Sequence, residues 1–600
     1  MGAYALSAPA FSQDAPESLL PEGFGDPDAP APATPVPSTP SPSRPVPASP
    51  PAAPSASALP PDEPSAARED IAEEDALDEL DLALDFDDIP PEYELPPGAR
   101  RPLDKVGPLT LRNGGYGENA FAGINGRFFS TLMRRLDAPG PSRWLHISLR
   151  RALLSEIPTP NGVSAPDWIA ERAWLLLRMG EVDGARMLVQ RVDSDRYTPK
   201  LYAVAMQVGL ASGDPASFCP LVSGARSTVD SPGWVLAEAI CAGLLGESVR
   251  ATAQTTAARR NGITNGFDIL LAERVANAGG SSRAVTIEWD GVERLNAWRF
   301  GMANAVGEDI PAGLYRSSGR QVAAWRARSP TIELADRIEP ARTAAVIGVF
   351  SNQTLVSMYS ALLPDLDPED LAGSPTGNLR AAYVRNSLRE RMGAMEALWT
   401  DTGGRDDRYA GLILSARAAA RIAPRASLAD QAGNLIAAMM SAGLDIQAAG
   451  WAATVADADQ DDADQAWALL AVGAPEPVVD TGYGRVGDYA GRAGSDGRHR
   501  AQLLAAALAG LGRLDSGEIS DANDDLALGL DVENVWTRQI DRAARARRVG
   551  VVALLAAVGM QSPNWSGIPP SHLYHVVRAY RLAGREPEAR MIAAEAITRS

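Results

Sequence analysis

Apolar residues recur every three or four positions over most of residues 97–600, with polar residues between them. Residues 168–180 carry one such stripe, and residues 182–192 carry a second. This spacing places the apolar side chains on one face of a helix. Ser164 is a suitable N-cap for the first helix, and Pro166 fits its first turn. The pattern predicts roughly twenty helices joined by short Gly, Pro and Asp turns, and therefore an all-α body.

The same two-helix unit occurs again at the end of the chain. Residues 573–584 form an apolar stripe that ends in Gly584, and residues 586–596 form the facing stripe. The two turns are alike: GEVDGARM starts at Gly180, and GREPEARM starts at Gly584. Each consists of Gly, four residues and then Ala-Arg-Met. A helical hairpin cannot bury its apolar faces alone, so these units are expected to stack on neighbours.

These Gly-x4-Ala turns resemble those of tetratricopeptide repeats, in which small residues allow two helices to pack closely. The resemblance covers two units well. It departs from the family at the usual Tyr and Pro positions, and the spacing between units is irregular. It implies a degenerate, right-handed α-solenoid with a protein-interaction surface, similar to uncharacterised bacterial envelope proteins. The family supplies no catalytic residue.

A different composition precedes the helical body. Residues 1–12 are mostly apolar and end in Ala-Phe-Ser, which indicates the remnant of a truncated export signal. A disordered Ala-rich terminus is the alternative interpretation. Residues 13–61 are rich in Pro, Ala and Ser, which favours an extended, disordered spacer. Residues 62–96 form an acidic tract that is also expected to be disordered.

The net charge of −19 arises mainly from this acidic tract. Residues 62–95 hold fifteen Asp or Glu residues and one Arg, so they contribute −14. Nucleic-acid binding is disfavoured, because no domain has a basic excess. Leu77, Leu80 and Leu84 lie at helical spacing within the tract and predict a short docking motif that folds onto a groove. A purely solvating tract is the alternative.

Breaks in the helical pattern suggest how the body is divided. Pro, Gly and Asp cluster at residues 363–378, so we predict two solenoid halves, at 97–365 and 366–600. A second Gly- and Pro-rich stretch, at 474–497, predicts a loop. Residues 284–289 alternate as a strand does, but an isolated strand is unexpected in an all-α body, so an extended connector is favoured. No apolar run is long enough for a transmembrane helix.

Cys219 and Cys241 are the two cysteines of the chain. Pro215 marks the start of one predicted helix and Pro232 that of the next, which places the turn near residue 230. The cysteines are equidistant from that turn, so they face each other if the two helices form an antiparallel hairpin. This predicts a disulfide, which an exported protein would form. Two buried free cysteines are the alternative.

Four arginines are predicted to form a basic helix face: Arg538, Arg542, Arg545 and Arg548. Such a face attracts an anionic partner, or the chain's own acidic tract 62–95 in an intramolecular contact. A solvated Arg-rich surface is the alternative.

No catalytic or metal-binding motif is evident. His572 and His575 lie three positions apart, but no third ligand accompanies them, so no metal site is expected. No phosphate-binding loop, zinc-protease motif or nucleophile elbow occurs, and no cofactor is expected.

These patterns favour a non-enzymatic, exported helical-repeat scaffold that binds protein partners in the bacterial cell envelope, with the periplasm as its location. One alternative is an enzyme or enzyme subunit acting on envelope polymers. Its site would lie at 280–365, where Trp289, Trp298 and Trp325 would stack on sugars. Another alternative is a cytosolic adaptor similar to tetratricopeptide proteins, in which both cysteines would be free thiols.

Overall fold

The computed structural model describes residues 97–278, 285–400 and 403–600. Within these ranges the protein is all-α, as predicted, with 28 α-helices. The helices that start before residue 365 are α1 (Gly126–Arg135), α2 (Arg143–Leu154), α3 (Ala165–Arg178), α4 (Val182–Val189), α5 (Pro199–Ala211), α6 (Val222–Thr228), α7 (Pro232–Leu244), α8 (Ser248–Arg260), α9 (Gly266–Asn277), α10 (Ala297–Ala305), α11 (Ala312–Tyr315), α12 (Arg320–Arg328), α13 (Leu334–Ile347) and α14 (Asn352–Ala361).

Three of the later helices have five residues or fewer, and α11 is also this short. Such short helices are one reason why the structure has more helices than the roughly twenty predicted. The later helices are α15 (Pro368–Leu371), α16 (Pro375–Val384), α17 (Leu388–Thr400), α18 (Arg405–Ala419), α19 (Ala432–Ser441), α20 (Asp445–Ala449), α21 (Ala452–Ala456), α22 (Gln460–Gly473), α23 (Tyr483–Leu511), α24 (Ser516–Leu526), α25 (Val535–Arg545), α26 (Val549–Gly559), α27 (Pro570–Leu582) and α28 (Glu586–Arg599).

Extended structure is confined to short pieces in the described part of the chain. Strand β1 (Lys105–Val106) pairs with β2 (Ile157–Pro158) in an antiparallel register. Residues 285–289 form no strand, which confirms the predicted connector for the described part of that segment. The expectations for residues 1–96 lie outside the described residues and stay predictions. None of the described helices is long and apolar enough to cross a membrane.

The two predicted hairpins are confirmed. Helices α3 and α4 meet at Gly180, and α27 and α28 meet at Gly584, with φ angles of 89° and 77°. The same Gly-x4-Ala turn joins α7 to α8 at Gly246 and α19 to α20 at Gly443, with φ angles of 88° and 72°. Only Gly adopts this left-handed conformation without strain. The alanine that follows is buried in all four turns: Ala185, Ala251, Ala448 and Ala589.

The predicted loop at 474–497 is wrong from Tyr483 onward, because α23 begins there. Arg485 Nη2 donates to Asp464 Oδ1 at 2.7 Å, and Arg492 Nε donates to Asp464 Oδ2 at 2.9 Å. These ion pairs attach the glycine-rich first turns of α23 to α22. These contacts offset the low helix propensity of the glycines. The loop was predicted from that propensity alone, without the contacts to α22.

The predicted disulfide between Cys219 and Cys241 is confirmed, with the two Cα atoms 5.5 Å apart. It joins the 3₁₀ helix Pro215–Leu221 to α7. Cys241 belongs to a second hydrophobic core, separate from the main one, to which Trp234 and Leu271 also belong. The disulfide therefore lies within a region that has its own packing.

The main core joins helices that are far apart in sequence. Helix α2 packs against α26 and α28, near the other end of the chain, and α13 packs against α18, so helices from both predicted halves contact each other. Glu595 of α28 is buried at the start of α2, where it accepts hydrogen bonds from Ser142 Oγ at 2.7 Å and from the backbone N–H of Arg143 at 2.8 Å. Arg599 Nη1 donates to the same carboxylate at 2.7 Å. A buried carboxylate thus links the first and last thirds of the described chain.

Candidate partner-binding groove

An apolar groove of about 560 Å³ opens between residues 123–132 and the helices α25 and α26. Its first wall includes the start of α1. Its second wall comes from residues more than four hundred positions later. The apolar side chains that line it are Ile124, Phe128, Phe129, Leu132, Val535, Trp536, Val551, Leu555 and Val558.

Asparagine caps fix where the helix on each wall begins. The side chain of Asn125 accepts a hydrogen bond from the backbone N–H of Phe128 at 3.1 Å. In the same way, Asn534 accepts from the backbone N–H of Thr537 at 2.9 Å. Because a cap satisfies an otherwise unpaired helical N–H, it sets the first turn of each helix. Phe128 and Val535, which belong to these first turns, are thereby held on opposite walls.

Large apolar side chains on both walls are in contact with solvent. Phe128 is 60% exposed and Val535 is 68% exposed. Trp536, next to Val535 in the chain, is half-buried, and its Nε1 donates to the carbonyl oxygen of Leu555 at 2.7 Å. Its ring lies against His572, with ring centroids 4.7 Å apart. Contiguous apolar surface left in water is typical of a surface that binds a partner.

The two walls are attached to each other below the groove. Asn119 Nδ2 donates to the carbonyl oxygens of Ala546 at 3.2 Å and Arg547 at 3.3 Å. Phe121 packs against Gly550, where an added Cβ would lie 2.4 Å from the aromatic ring. Gly550 therefore permits an approach that a larger residue would prevent. These contacts join the two walls of the groove within one packed core.

The structure places the four predicted arginines on one side of this groove. Arg538, Arg542 and Arg545 are exposed on α25, and Arg548 is half-buried in the turn before α26. Arg542 and Arg548 border the groove itself, while Arg538 and Arg545 border an adjoining depression. Among the described residues, no carboxylate forms an ion pair with any of the four. We call this set the arginine rim.

Two carboxylates, Glu533 and Asp541, also border the depression, and Asp541 forms an ion pair with Arg578. Arg578 Nη1 donates to Asp541 Oδ2 at 2.6 Å. Burial acts to raise the pKa of Asp541, but the neighbouring His575 and Arg578 outweigh it and lower that pKa. Asp541 is therefore ionised and already neutralised by Arg578. Glu533 is exposed at the edge, so the arginine rim keeps an excess of positive charge.

The histidines considered as metal ligands have other partners. His572 Nδ1 donates to the carbonyl oxygen of Gly559 at 2.6 Å, and His575 lies beside Asp541, with Nδ1 3.7 Å from the carboxylate. Within the described ranges, no three His, Cys, Asp or Glu side chains are grouped as a metal site would require.

The three central tryptophans do not form an open platform for sugars. Trp325 is buried in the main core. Trp298 donates its Nε1 to the carbonyl oxygen of Asp268 at 3.1 Å. Trp289 packs against Phe267, with ring centroids 5.0 Å apart. All three rings are engaged in packing.

The sequence predicts the basic face of the arginine rim but not the apolar walls of the groove. Adjacent apolar residues stand in the first turn of each helix, Phe128-Phe129 and Val535-Trp536. Such pairs also occur within the buried stripe of an ordinary amphipathic helix, so the sequence does not mark them as walls of a groove. The predicted docking leucines at 77, 80 and 84 lie outside the described residues, so that hypothesis stays a prediction.

Comparison with known proteins gives this chain no relative: no family model, no curated protein and no solved structure matches it.

Proposed function

We propose that this chain is a non-enzymatic helical-repeat scaffold of the bacterial periplasm. It binds an acidic, amphipathic segment of a protein partner in the groove between residues 123–132 and helices α25 and α26. The observation that carries the proposal is an open apolar groove bordered by arginines that have no ion-pair partner among the described residues.

The chemistry of the groove defines the chemistry of the segment. An amphipathic helix binds such a groove through apolar side chains spaced three and four positions apart. Phe128, Trp536 and Val535 supply the matching apolar surface. Carboxylates flanking those apolar residues would lie near the arginine rim, where opposite charge increases the rate and the specificity of association.

The architecture and location in this proposal rest on two further observations. Four hairpins share the Gly-x4-Ala turn, which supports a degenerate, right-handed α-solenoid similar to tetratricopeptide proteins. The disulfide between Cys219 and Cys241 supports an oxidising compartment, since such bonds are rare in the cytosol. No observation favours the enzymatic alternative.

A peptide of residues 70–90, labelled with fluorescein, is a suitable probe, because it has leucines at helical spacing and many carboxylates. We expect it to bind the full-length chain in fluorescence anisotropy, and to bind less tightly as salt screens the arginine rim. The Val535→Asp variant should bind at least tenfold more weakly, because it places a carboxylate on the apolar wall.

Val249→Asp is the matched control, since Val249 is 84% exposed on α8 and does not line the groove. This variant should bind the peptide as the wild type does. Equal affinity of the Val535→Asp variant and the wild type would refute the groove as the site. A peptide with Leu77, Leu80 and Leu84 replaced by Ser tests the apolar contribution. If this peptide binds as tightly as the original, the leucines contribute nothing and the binding is purely electrostatic.

A further inference from the structure

A second cavity, of about 470 Å³, lies among α14, α16 and α18. These three helices contact one another pairwise, so the cavity is built into their packing. It shares no lining residue with the groove described above. Its volume is within the range of small-molecule sites, about 300–1,000 Å³.

The interior of this cavity is formed by side chains with fixed positions. Leu379 and Thr376 of α16 are 4% and 6% exposed, and Tyr359 of α14 is 1% exposed. Arg342 Nη1 donates to Tyr359 Oη at 3.3 Å, which helps to hold the phenol in place. Val356 and Leu363 add further apolar surface. One side of the cavity therefore suits an apolar group.

The lining of this cavity also has an excess of positive charge. Arg380 on α16, Arg417 on α18 and Arg421 just after α18 all line the cavity and are exposed to solvent. No Asp or Glu lines it. In the described part of the chain, none of the three guanidinium groups has a carboxylate partner. Like charges that converge without a counter-charge repel one another, and a bound anion relieves that repulsion.

Tyr383 shows that two of these arginines converge on the same place. The guanidinium of Arg421 lies over the Tyr383 ring, 5.5 Å from its centroid. Burial raises the pKa of Tyr383, and the charges of Arg417 and Arg421 oppose that rise. Both guanidinium groups are thus close enough to Tyr383 to act on one ligand headgroup.

We propose that this cavity binds a small amphiphilic anion. Its carboxylate or phosphate headgroup is held by Arg380, Arg417 and Arg421, and its apolar body lies against Val356 and Leu379. Arginine is suited to both headgroups, because its planar donors match the oxygens of a carboxylate or a phosphate. This site does not depend on the protein partner proposed for the groove.

Isothermal titration calorimetry on the full-length chain tests the proposal with four probes: decanoate, decyl phosphate, inorganic phosphate and 1-decanol, each below its aggregation concentration. We expect the two amphiphilic anions to bind and the other two to show no measurable binding. The Arg417→Gln/Arg421→Gln double variant should weaken binding roughly 10- to 100-fold, as expected for lost hydrogen bonds to a charged group. Arg380→Gln alone should weaken it less.

The matched control is Arg425→Gln, because Arg425 is exposed nearby in sequence but does not line the cavity. It should bind both amphiphiles as the wild type does. The proposal is overturned if neither amphiphile binds, if the double variant retains wild-type affinity, or if 1-decanol binds as tightly as decanoate. Inorganic phosphate binding as tightly as decyl phosphate would also overturn it. The ratio of decanoate to decyl phosphate affinity identifies the preferred headgroup.

Discussion

His146 is a buried base that shares a carboxylate with an arginine. It is 4% exposed, and its Nε2 lies 2.9 Å from Oε1 of Glu181. Arg150 Nη1 donates to the same oxygen at 2.9 Å, so Glu181 has a permanent cation beside it. Burial lowers the pKa of His146 from 6.5, although Glu181 opposes this effect. The folded protein therefore keeps His146 neutral at pH values where the unfolded chain would protonate it.

This difference predicts that the folded protein loses stability as the pH falls. Below pH 6.5 the unfolded chain binds the His146 proton before the folded chain does, so protonation favours unfolding. This destabilising effect is absent above pH 6.5. It grows as the pH falls, until the pH reaches the pKa of His146 in the folded protein. Lowering the pH from 7.5 to 5.5 should therefore reduce the free energy of unfolding of the wild type more than that of the His146→Gln variant. Urea unfolding at the two pH values measures both changes. Parallel losses of stability in the two proteins would contradict this role of burial.

At the scale of elements, the turn between α25 and α26 differs from the glycine turn of the last hairpin. The backbone N–H of Arg548 donates to the carbonyl oxygen of Ala543 at 3.0 Å, as Arg585 does to Tyr580 at 2.8 Å in the last hairpin. The residue before the donor is glycine in the last hairpin, with a φ angle of 77°, but here it is Arg547, with a φ angle of 52°. A non-glycine residue in this conformation is strained.

Replacing this residue should stabilise the protein. Arg547→Gly removes the left-handed strain and is expected to raise the free energy of unfolding by about 1 kcal/mol. Arg547→Ala removes the same charge but keeps the strain, so it should give no such gain. Urea unfolding followed by circular dichroism measures both. An equal gain in the two variants would assign the effect to charge instead.

Such local features explain which elements the sequence could predict. The hairpins at Gly180 and Gly584 depend on a short motif between two apolar stripes, and all of it is visible in one stretch of chain. The disulfide followed from the symmetry of one hairpin. The second wall of the groove was not predictable in this way, because residues 123–132 meet α25 only through long-range packing. The first turns of α23 were not predicted, because the ion pairs that attach them reach Asp464, which lies in another helix.

At the scale of the whole molecule, Glu595 is the carboxylate on which α2 and α28 depend together. We expect Glu595→Ala to lower the free energy of unfolding by about 3–5 kcal/mol, because the backbone N–H groups of Arg143 and Trp144 lose their acceptor and Arg599 keeps only Asp406 as a charged partner. Glu586→Ala is the matched control on the same helix, since Glu586 is exposed, and should change stability by less than about 0.5 kcal/mol.

Hydrogen exchange distinguishes this effect from a general loss of helix. In the Glu595→Ala variant, amide protons of α2 should lose protection together with those of α28, although the two helices lie at opposite ends of the described chain. Loss of protection in α28 alone would contradict the coupling. No sequence pattern predicts this pairing, because Ser142 and Glu595 are 453 positions apart.

The contact between Ser142 and Glu595 also sets the order of events during synthesis. A ribosome adding roughly 5–20 residues per second completes Ser142 some 20–90 s before it reaches Glu595. Throughout that interval the apolar face of α2 has no α28 to pack against, so the nascent chain must be shielded from aggregation. The same delay leaves the main core incomplete until α28 has been synthesised.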